Sequence, residues 1–486
     1  MLPGTKRALI PLAWVGGTAG VLLLLFPVGF PNYDTIYALV WGREIAHGMS
    51  PDYSSALPPT PHPLADLLGV VTTPLGDGAI TVTMVIAYLS LGLVAYLVYR
   101  LGALWFDRPI GVVAALIVLT RAPYLSNGLR AYVDLPYIAL CLGALAIETR
   151  RPRAGWPVLA LLALAGLLRP EAWLFSLAYL AYLAVRVERA PSWGVRWREE
   201  RGRRELVGLG ALAVAAPLGW ALFDLITTGD PAYSFTGTRD TVETLDRQTG
   251  PVDLVLYGPR RLGEVLQWPG VVGAAGGVVL GLLLLRRRAR IGVAAAVLTL
   301  AAFALLACAG LAVIPRYTML AAAILAVFCA AALLGWRLLE REDPWRRRWA
   351  VFAAVVALMF VIWGPNQYDL LSRVDTDLTN QARIEDDLID LADSGAFEPL
   401  CGPISVPNHR AVPRLAFALD VEPGEVVSST EERQPKRGYF LDPANEFVVH
   451  NFVLDPNDPA RLKTTVPAGF EPVAGNRSWR LYRRCD

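Results

Sequence analysis

Four short runs in this 486-residue chain set ionisable side chains at the edges of long apolar stretches. They are Asp34 in Pro31-Asn32-Tyr33-Asp34, Asp134 in Tyr132-Val133-Asp134-Leu135-Pro136, the turn Arg169-Pro170-Glu171, and Arg316-Tyr317 behind Pro315. A carboxylate in such a place can take a proton from a hydroxyl, and a guanidinium can hold a phosphate oxygen. Each run also has a purely structural reading. Asp34 and Asp134 suit helix N-caps, Arg169 and Glu171 can pair across their turn, and Arg316 can snorkel as an interfacial anchor. Charges at the ends of membrane spans are costly to place, which makes all four functional candidates. The histidines His47, His62, His409 and His450 show no metal-ligand spacing and read as uneventful. No Walker loop, dinucleotide fingerprint, nucleophile elbow or HExxH motif occurs.

The elements that must carry these residues are membrane helices. Hydrophobic residues make up 54% of the chain and charged residues only 18%, against about 25% charged in a soluble domain. Mean hydropathy is +0.42, and the apolar residues fall in blocks of about 20, the length that crosses a bilayer. This argues against a soluble enzyme, a nucleic-acid binder and a disulfide-stapled secreted domain, while a net charge of +2 is too small to imply an anionic partner by itself. Eleven spans are predicted, at about 8–28, 79–99, 109–123, 134–148, 155–168, 171–186, 205–226, 268–285, 291–311, 316–336 and 349–364. The short ones between 109 and 186 suit a protein interior or the side of a water-filled cavity.

Charge asymmetry orients the bundle. Twenty-three Lys and Arg residues flank alternate turns, among them Arg150, Arg151 and Arg153, the run from Arg186 to Arg204, and Arg286 to Arg290. The intervening turns hold nine. Basic residues mark the cytoplasmic side, so the N-terminus is expected inside and the C-terminus outside. The first span reads as a retained signal anchor, because Pro27-Val28-Gly29-Phe30-Pro31 offers no small-x-small cleavage site. All four candidate runs then share the outer face, and they can meet only if the helices enclose a cavity open on that side.

Three regions lie outside: about 29–78, about 227–267, and the tail from 365. In the first, Ile36, Leu39 and Val40 oppose Arg43, Glu44 and His47 at helical spacing. This is either an amphipathic helix on the outer interface or a buried piece of an extracytoplasmic cap. In the tail, Arg383 to Leu391 is amphipathic, and Ile404-Ser405-Val406, Phe447-Val448-Val449 and Trp479-Arg480-Leu481-Tyr482 read as strands between turn signals. The expected fold is an all-α polytopic bundle over residues 1–364 with a small extracytoplasmic α/β domain over 365–486. Cys141, Cys308 and Cys329 fall within spans as small apolar residues. Cys401 and Cys485 are both in the tail, where they either pair or stay free.

Taken together, these motifs resemble those of the GT-C class of integral-membrane glycosyltransferases, in particular the protein mannosyltransferase and lipid A aminoarabinose transferase type. The class carries an acidic residue soon after the first span, matched by Asp34, and another before the fourth, matched by Asp134. Arg169-Pro170-Glu171 resembles its Arg-Pro-Glu turn, Pro315-Arg316-Tyr317 its late Arg-Tyr motif, and Gly229-Asp230-Pro231 the start of its large outer loop. The likeness covers about residues 1–340. Many relatives carry an Asp-Glu pair where Asp34 is followed by Thr35, so the second carboxylate is either Asp134 or absent.

The resemblance implies transfer of a sugar from a polyprenyl-phosphate donor to a glycan, lipid or protein acceptor of the envelope, at the bilayer's outer face. Asp34 and Asp134 would be the catalytic carboxylates, with Asp34 as base, taking the acceptor proton as the hydroxyl attacks with inversion. Arg316 would stabilise the leaving phosphate. Arg169, Glu171 and Tyr317 would line the substrate site, with Arg239, Arg260 and Arg261 as further phosphate partners. No nucleotide is required at this face, and a divalent metal is left open because related enzymes differ. The competing readings are a non-catalytic envelope assembly protein and a secondary transporter, although transporters place their sites at the midplane between repeats.

Overall fold

The computed structural model describes residues 3–55, 57–185, 200–428, 435–452 and 465–486. The basic residues from Arg186 to Arg198 therefore lie outside the described residues. Seventeen α-helices are described. The first nine are α1 (Pro3–Leu25), α2 (Tyr33–Ala46), α3 (Pro63–Thr72), α4 (Gly78–Trp105), α5 (Arg108–Leu119), α6 (Ala122–Leu129), α7 (Asp134–Arg150), α8 (Trp156–Gly166) and α9 (Glu171–Ala184). They are followed by α10 (Glu200–Thr228), α11 (Tyr233–Thr244), α12 (Gly250–Leu284), α13 (Arg286–Cys308), α14 (Met319–Leu334) and α15 (Pro344–Asp393), then α16 (Val412–Leu419) and α17 (Glu446–Asn451) in the tail.

Local chemistry sets the ends. Asp107 caps α5 by accepting the Ile110 amide at 2.9 Å, with Pro109 in its first turn, and Asp343 does the same for Trp345 ahead of α15. α12 is two helices meeting at Gln267, whose φ of 62° and ψ of 155° are non-helical. Pro269, two residues on, has no amide to donate to the preceding turn, and the predicted span at 268–285 begins at this break. α14 is the buried axis of the bundle, packed by α12, α5, α15, α13 and α4. Its approach to α12 is close enough that a Cβ on Gly277 would overlap the Phe328 carbonyl.

Every predicted span falls on a helix, but not every such helix is long. Among the described residues six helices are long and apolar enough to cross a membrane, or seven if α5 and α6, bent by 63°, form one span. Of four shorter apolar helices among the same residues, those at 10–25, 156–166 and 171–184 fall on three further predicted spans and that at 63–75 on none, while α7, on the predicted span 134–148, meets neither measure.

The tail carries five strands, β1 (Ile404–Val406), β2 (Val426–Ser428), β3 (Gly438–Pro443), β4 (Glu471–Gly475) and β5 (Trp479–Arg484), in the order β2-β1-β3-β5-β4. β1 is parallel to both its neighbours, whereas β3, β5 and β4 are antiparallel. Two predicted strands are found, β1 and β5, but Phe447-Val448-Val449 is helix α17. Asn445 caps it through the Val448 amide at 3.2 Å, and only Val448 is fully buried, so a single apolar face is enough. Cys401 and Cys485 form a disulfide.

α15 runs 50 residues from the bundle into the tail as one helix. Val374 and Leu378 pack into the bundle core, whereas Ile384, Leu388 and Leu391 pack under the sheet. The predicted amphipathic stretch from Arg383 is its last turns. α2 does not lie on the interface. Residues from Thr35 to Gly42 are all buried, because α3 covers one side and the tail covers the other. A Cβ on Gly42 would meet the backbone of Gly69 at 2.5 Å. Arg43 reaches the end of α16, donating to the carbonyls of Ala416, Phe417 and Val421 and pairing with Asp420 at 2.8 Å. That polar face binds protein, not lipid headgroups.

Candidate active site

A cavity of about 1220 Å³ lies where α2, α7, α9, the 3-10 turn Pro315–Thr318 and the tail come together. Asp34, Asp134, Arg169, Glu171, Arg316 and Tyr317 all line it. The convergence required by the sequence is therefore met.

Asp34 sits in the first turn of α2 but does not cap it. Asn32 does, accepting the amides of Asp34 at 2.8 Å and Thr35 at 3.3 Å. The Asn32 amide group donates in turn to the Arg130 carbonyl at 2.8 Å, and the Thr35 hydroxyl donates to Ala131 at 2.8 Å. The helix start is thus fastened to the loop ahead of α7, and the Asp34 carboxylate is left for other work. Its Oδ2 faces Nη1 of Arg316 at 3.5 Å, with the two side chains 22% and 30% exposed. Charge-assisted pairs usually close to about 2.7–2.9 Å. This pair is longer than that, so a substrate group that competes for Arg316 has a weak contact to displace.

Asp134 and Glu171 are situated differently. Each begins a helix, α7 and α9, and each is bound by Arg169, whose guanidinium donates to Asp134 and, at 2.7 Å, to Glu171. Asp134, Arg169 and Glu171 are 1%, 5% and 5% exposed. Arg169 lies beside two aromatic rings, Tyr137 at 5.5 Å and Tyr317 at 4.5 Å. Tyr317 is also 5.5 Å from Arg316, so one ring joins the buried triad to the open pair.

The three loop arginines separate. Arg261 lines the cavity, held by Gln248 at 2.7 Å, the Val313 carbonyl at 2.9 Å and Glu264 at 3.0 Å. Arg239 lies against Phe235 and Gly310, away from the cavity wall. Arg260 is largely exposed and pairs with Glu264 at 3.0 Å. Gly229 has a φ of +80°, and Pro231 reaches the cavity.

Two histidines that read as uneventful line the cavity. His62 precedes α3 and meets Trp220 edge-on at 5.8 Å, with its Nδ1 buried and unpartnered. Burial lowers its pKa to about 4; nearby Asp34 opposes this, and Arg169 and Arg316 add to it. Its imidazole is neutral at physiological pH and can donate or accept a hydrogen bond. His409, in the tail, meets Tyr33 edge-on at 5.3 Å. The sequence signal for His62 was Pro63 immediately after it, which marks a helix start rather than a loose loop. Among the described residues no group of three or more His, Cys, Asp or Glu is placed to hold a metal ion.

No family model and no curated protein matches the sequence. Solved structures do match in fold. ArnT from Cupriavidus metallidurans bound to undecaprenyl phosphate aligns over 98% of both chains at 14% identity, with a TM-score of 0.55. The same protein in its apo state aligns over 99% of this chain and 98% of its own at 13% identity, with a TM-score of 0.52. The chain has the GT-C fold that its motifs resembled.

Proposed function

We propose that the chain is a membrane glycosyltransferase that moves a sugar from a polyprenyl-phosphate donor to an envelope acceptor, with inversion, on the extracytoplasmic face. The observation that carries the reading is the Asp34–Arg316 pair at 3.5 Å, partly exposed in a cavity that adjoins membrane helices. In this mechanism the donor phosphate displaces Asp34 from Arg316 and binds the guanidinium, whose charge stabilises the leaving group as the glycosidic bond breaks. Asp34, released from its partner, accepts the proton of the attacking hydroxyl. Asp134 and Glu171 hold Arg169 beside Tyr317, and Tyr317 positions Arg316. Arg261 and neutral His62 line the same site. The isoprenoid chain leaves along the apolar wall of Leu174, Leu177, Phe235, Leu305 and Leu306, toward the bilayer. ArnT, which shares the fold, is known bound to undecaprenyl phosphate, and this supports a lipid-phosphate donor here. The basic-residue split supports an inside N-terminus, with residues 1–364 as the catalytic module and 365–486 as its outer domain.

The test is mass spectrometry of lipid-linked sugars and envelope glycans from cells lacking the chain. One polyprenyl-phosphate sugar should accumulate while one glycan substituent disappears. Unchanged profiles of both would overturn the reading.

A further inference from the structure

The cavity is larger than a pocket for one small ligand. A pocket for a single small ligand is roughly 300–1,000 Å³, against about 1220 Å³ here. Its walls also differ in character. Besides its apolar residues the cavity has a polar lining from α15 and the tail, with Asp377, Gln381 and Glu385 joined by His409 and Arg410. Residues 377, 381 and 385 recur every four positions and so form one stripe of the helix. The stripe is held from both ends, by Val374 and Leu378 in the bundle and by Ile384 and Leu388 under the sheet.

We propose that Asp377 and Gln381 form the acceptor subsite and that the acceptor is a carbohydrate, gripped through neighbouring hydroxyls. This rests on the glycosyl-transfer reading of the same cavity. Gln381 is fixed in one orientation. Its Oε1 accepts from Nε of Arg130 at 3.1 Å and from Nη2 at 2.8 Å, so its NH2 group is the part left to donate. Asp377, one turn earlier, is half-buried and has no hydrogen bond to any described residue. An acceptor-only carboxylate and an amide donor one turn apart suit two adjacent hydroxyls, since each hydroxyl both donates and accepts.

The subsite adjoins the base. Arg130, which fixes Gln381, gives its carbonyl to Asn32, the cap of the helix that carries Asp34. Tyr33, next to Asp34, packs on His409 of the same polar wall. The Asp377 carboxylate disfavours a phosphorylated headgroup at the subsite itself, though the same wall also carries Arg410. Asp377 and Glu385 face the cavity, Arg130 is engaged by Gln381 and Ser126, and Arg414 pairs with Glu385 at 3.2 Å.

The experiment uses the full chain in lipid nanodiscs, with binding read by saturation-transfer NMR. The probes are neutral mannose, arabinose and glucose oligosaccharides, and separately undecaprenyl phosphate. At least one oligosaccharide should bind the wild type. Asp377→Ala, Asp377→Asn and Gln381→Ala should each weaken that binding by about tenfold or more. Retained undecaprenyl phosphate binding in the variants shows that they are folded. Equal oligosaccharide binding by wild type and all three variants overturns the proposal, and so does a wild type that binds undecaprenyl phosphate but none of the oligosaccharides. A wild type that fails to bind undecaprenyl phosphate strikes the glycosyl-transfer reading, and the proposal falls with it.

Discussion

Two groups of charges share one cavity, and they are built in opposite ways. Asp134, Arg169 and Glu171 are almost wholly buried and closely hydrogen-bonded. Asp34 and Arg316 are partly exposed and 3.5 Å apart. Burying charges is unfavourable unless each is paired, and a pair so buried has little freedom to exchange partners. An open pair has already paid less in lost hydration, and a substrate can separate it. Composition alone would rank the two groups alike, since each sets Arg against carboxylate. On the proposed reading, this difference in burial makes the triad the scaffold and the open pair the chemistry.

The comparison can be broken most forcefully at Arg169. Arg169→Met would leave two carboxylates buried without a counter-charge, and the expected loss is about 3–5 kcal/mol of stability. Thermal unfolding of the purified protein should show it as a large drop in midpoint. A midpoint near that of the wild type would mean that the triad does not hold the helix starts. The disulfide sharpens the contrast, because it stabilises the tail and touches neither charge group. Replacing Cys401 and Cys485 by Ser should destabilise the protein by roughly 2–4 kcal/mol while undecaprenyl phosphate affinity at the bundle is kept. Loss of that affinity would show that the tail holds the pair in place. The smallest effect is expected at Arg316. Arg316→Lys keeps the charge and loses the planar fork, so donor affinity should fall about tenfold with the unfolding midpoint unchanged. Wild-type affinity in this variant and in Arg316→Ala would make Arg316 an interfacial anchor.

Much of this was legible in the sequence, for physical reasons. Apolar blocks and flanking arginines mark helices wherever a bilayer is the solvent, so every predicted span lies on a helix. Span number was less accessible, because length stops being diagnostic for short apolar helices such as α8 and α9. The convergence of Asp34, Asp134, Arg169 and Arg316 followed from their shared face. What they do to one another did not. Nothing local distinguishes Asp34, freed by the cap at Asn32, from Asp134, tied by an arginine 35 residues away. His62 and the stripe on α15 are not legible in the sequence for the same reason: both acquire meaning only from elements distant in sequence. In the tail, Phe447-Val448-Val449 reads as strand by residue type, and the cap at Asn445 makes it a helix.

The central claim is that Asp34 is the base and needs its proton-accepting oxygen, not merely its shape. Asp34→Asn is nearly isosteric, and Asn32 rather than Asp34 caps the helix, so the fold has no reason to change. The direct measurement is single-turnover sugar transfer by this variant from polyprenyl-phosphate donor pre-bound to the enzyme. Transfer should fall by about 10²–10⁴-fold with donor affinity and unfolding midpoint preserved. Transfer near the wild-type rate would contradict the account and move the search for the base to the buried carboxylates of Asp134 and Glu171.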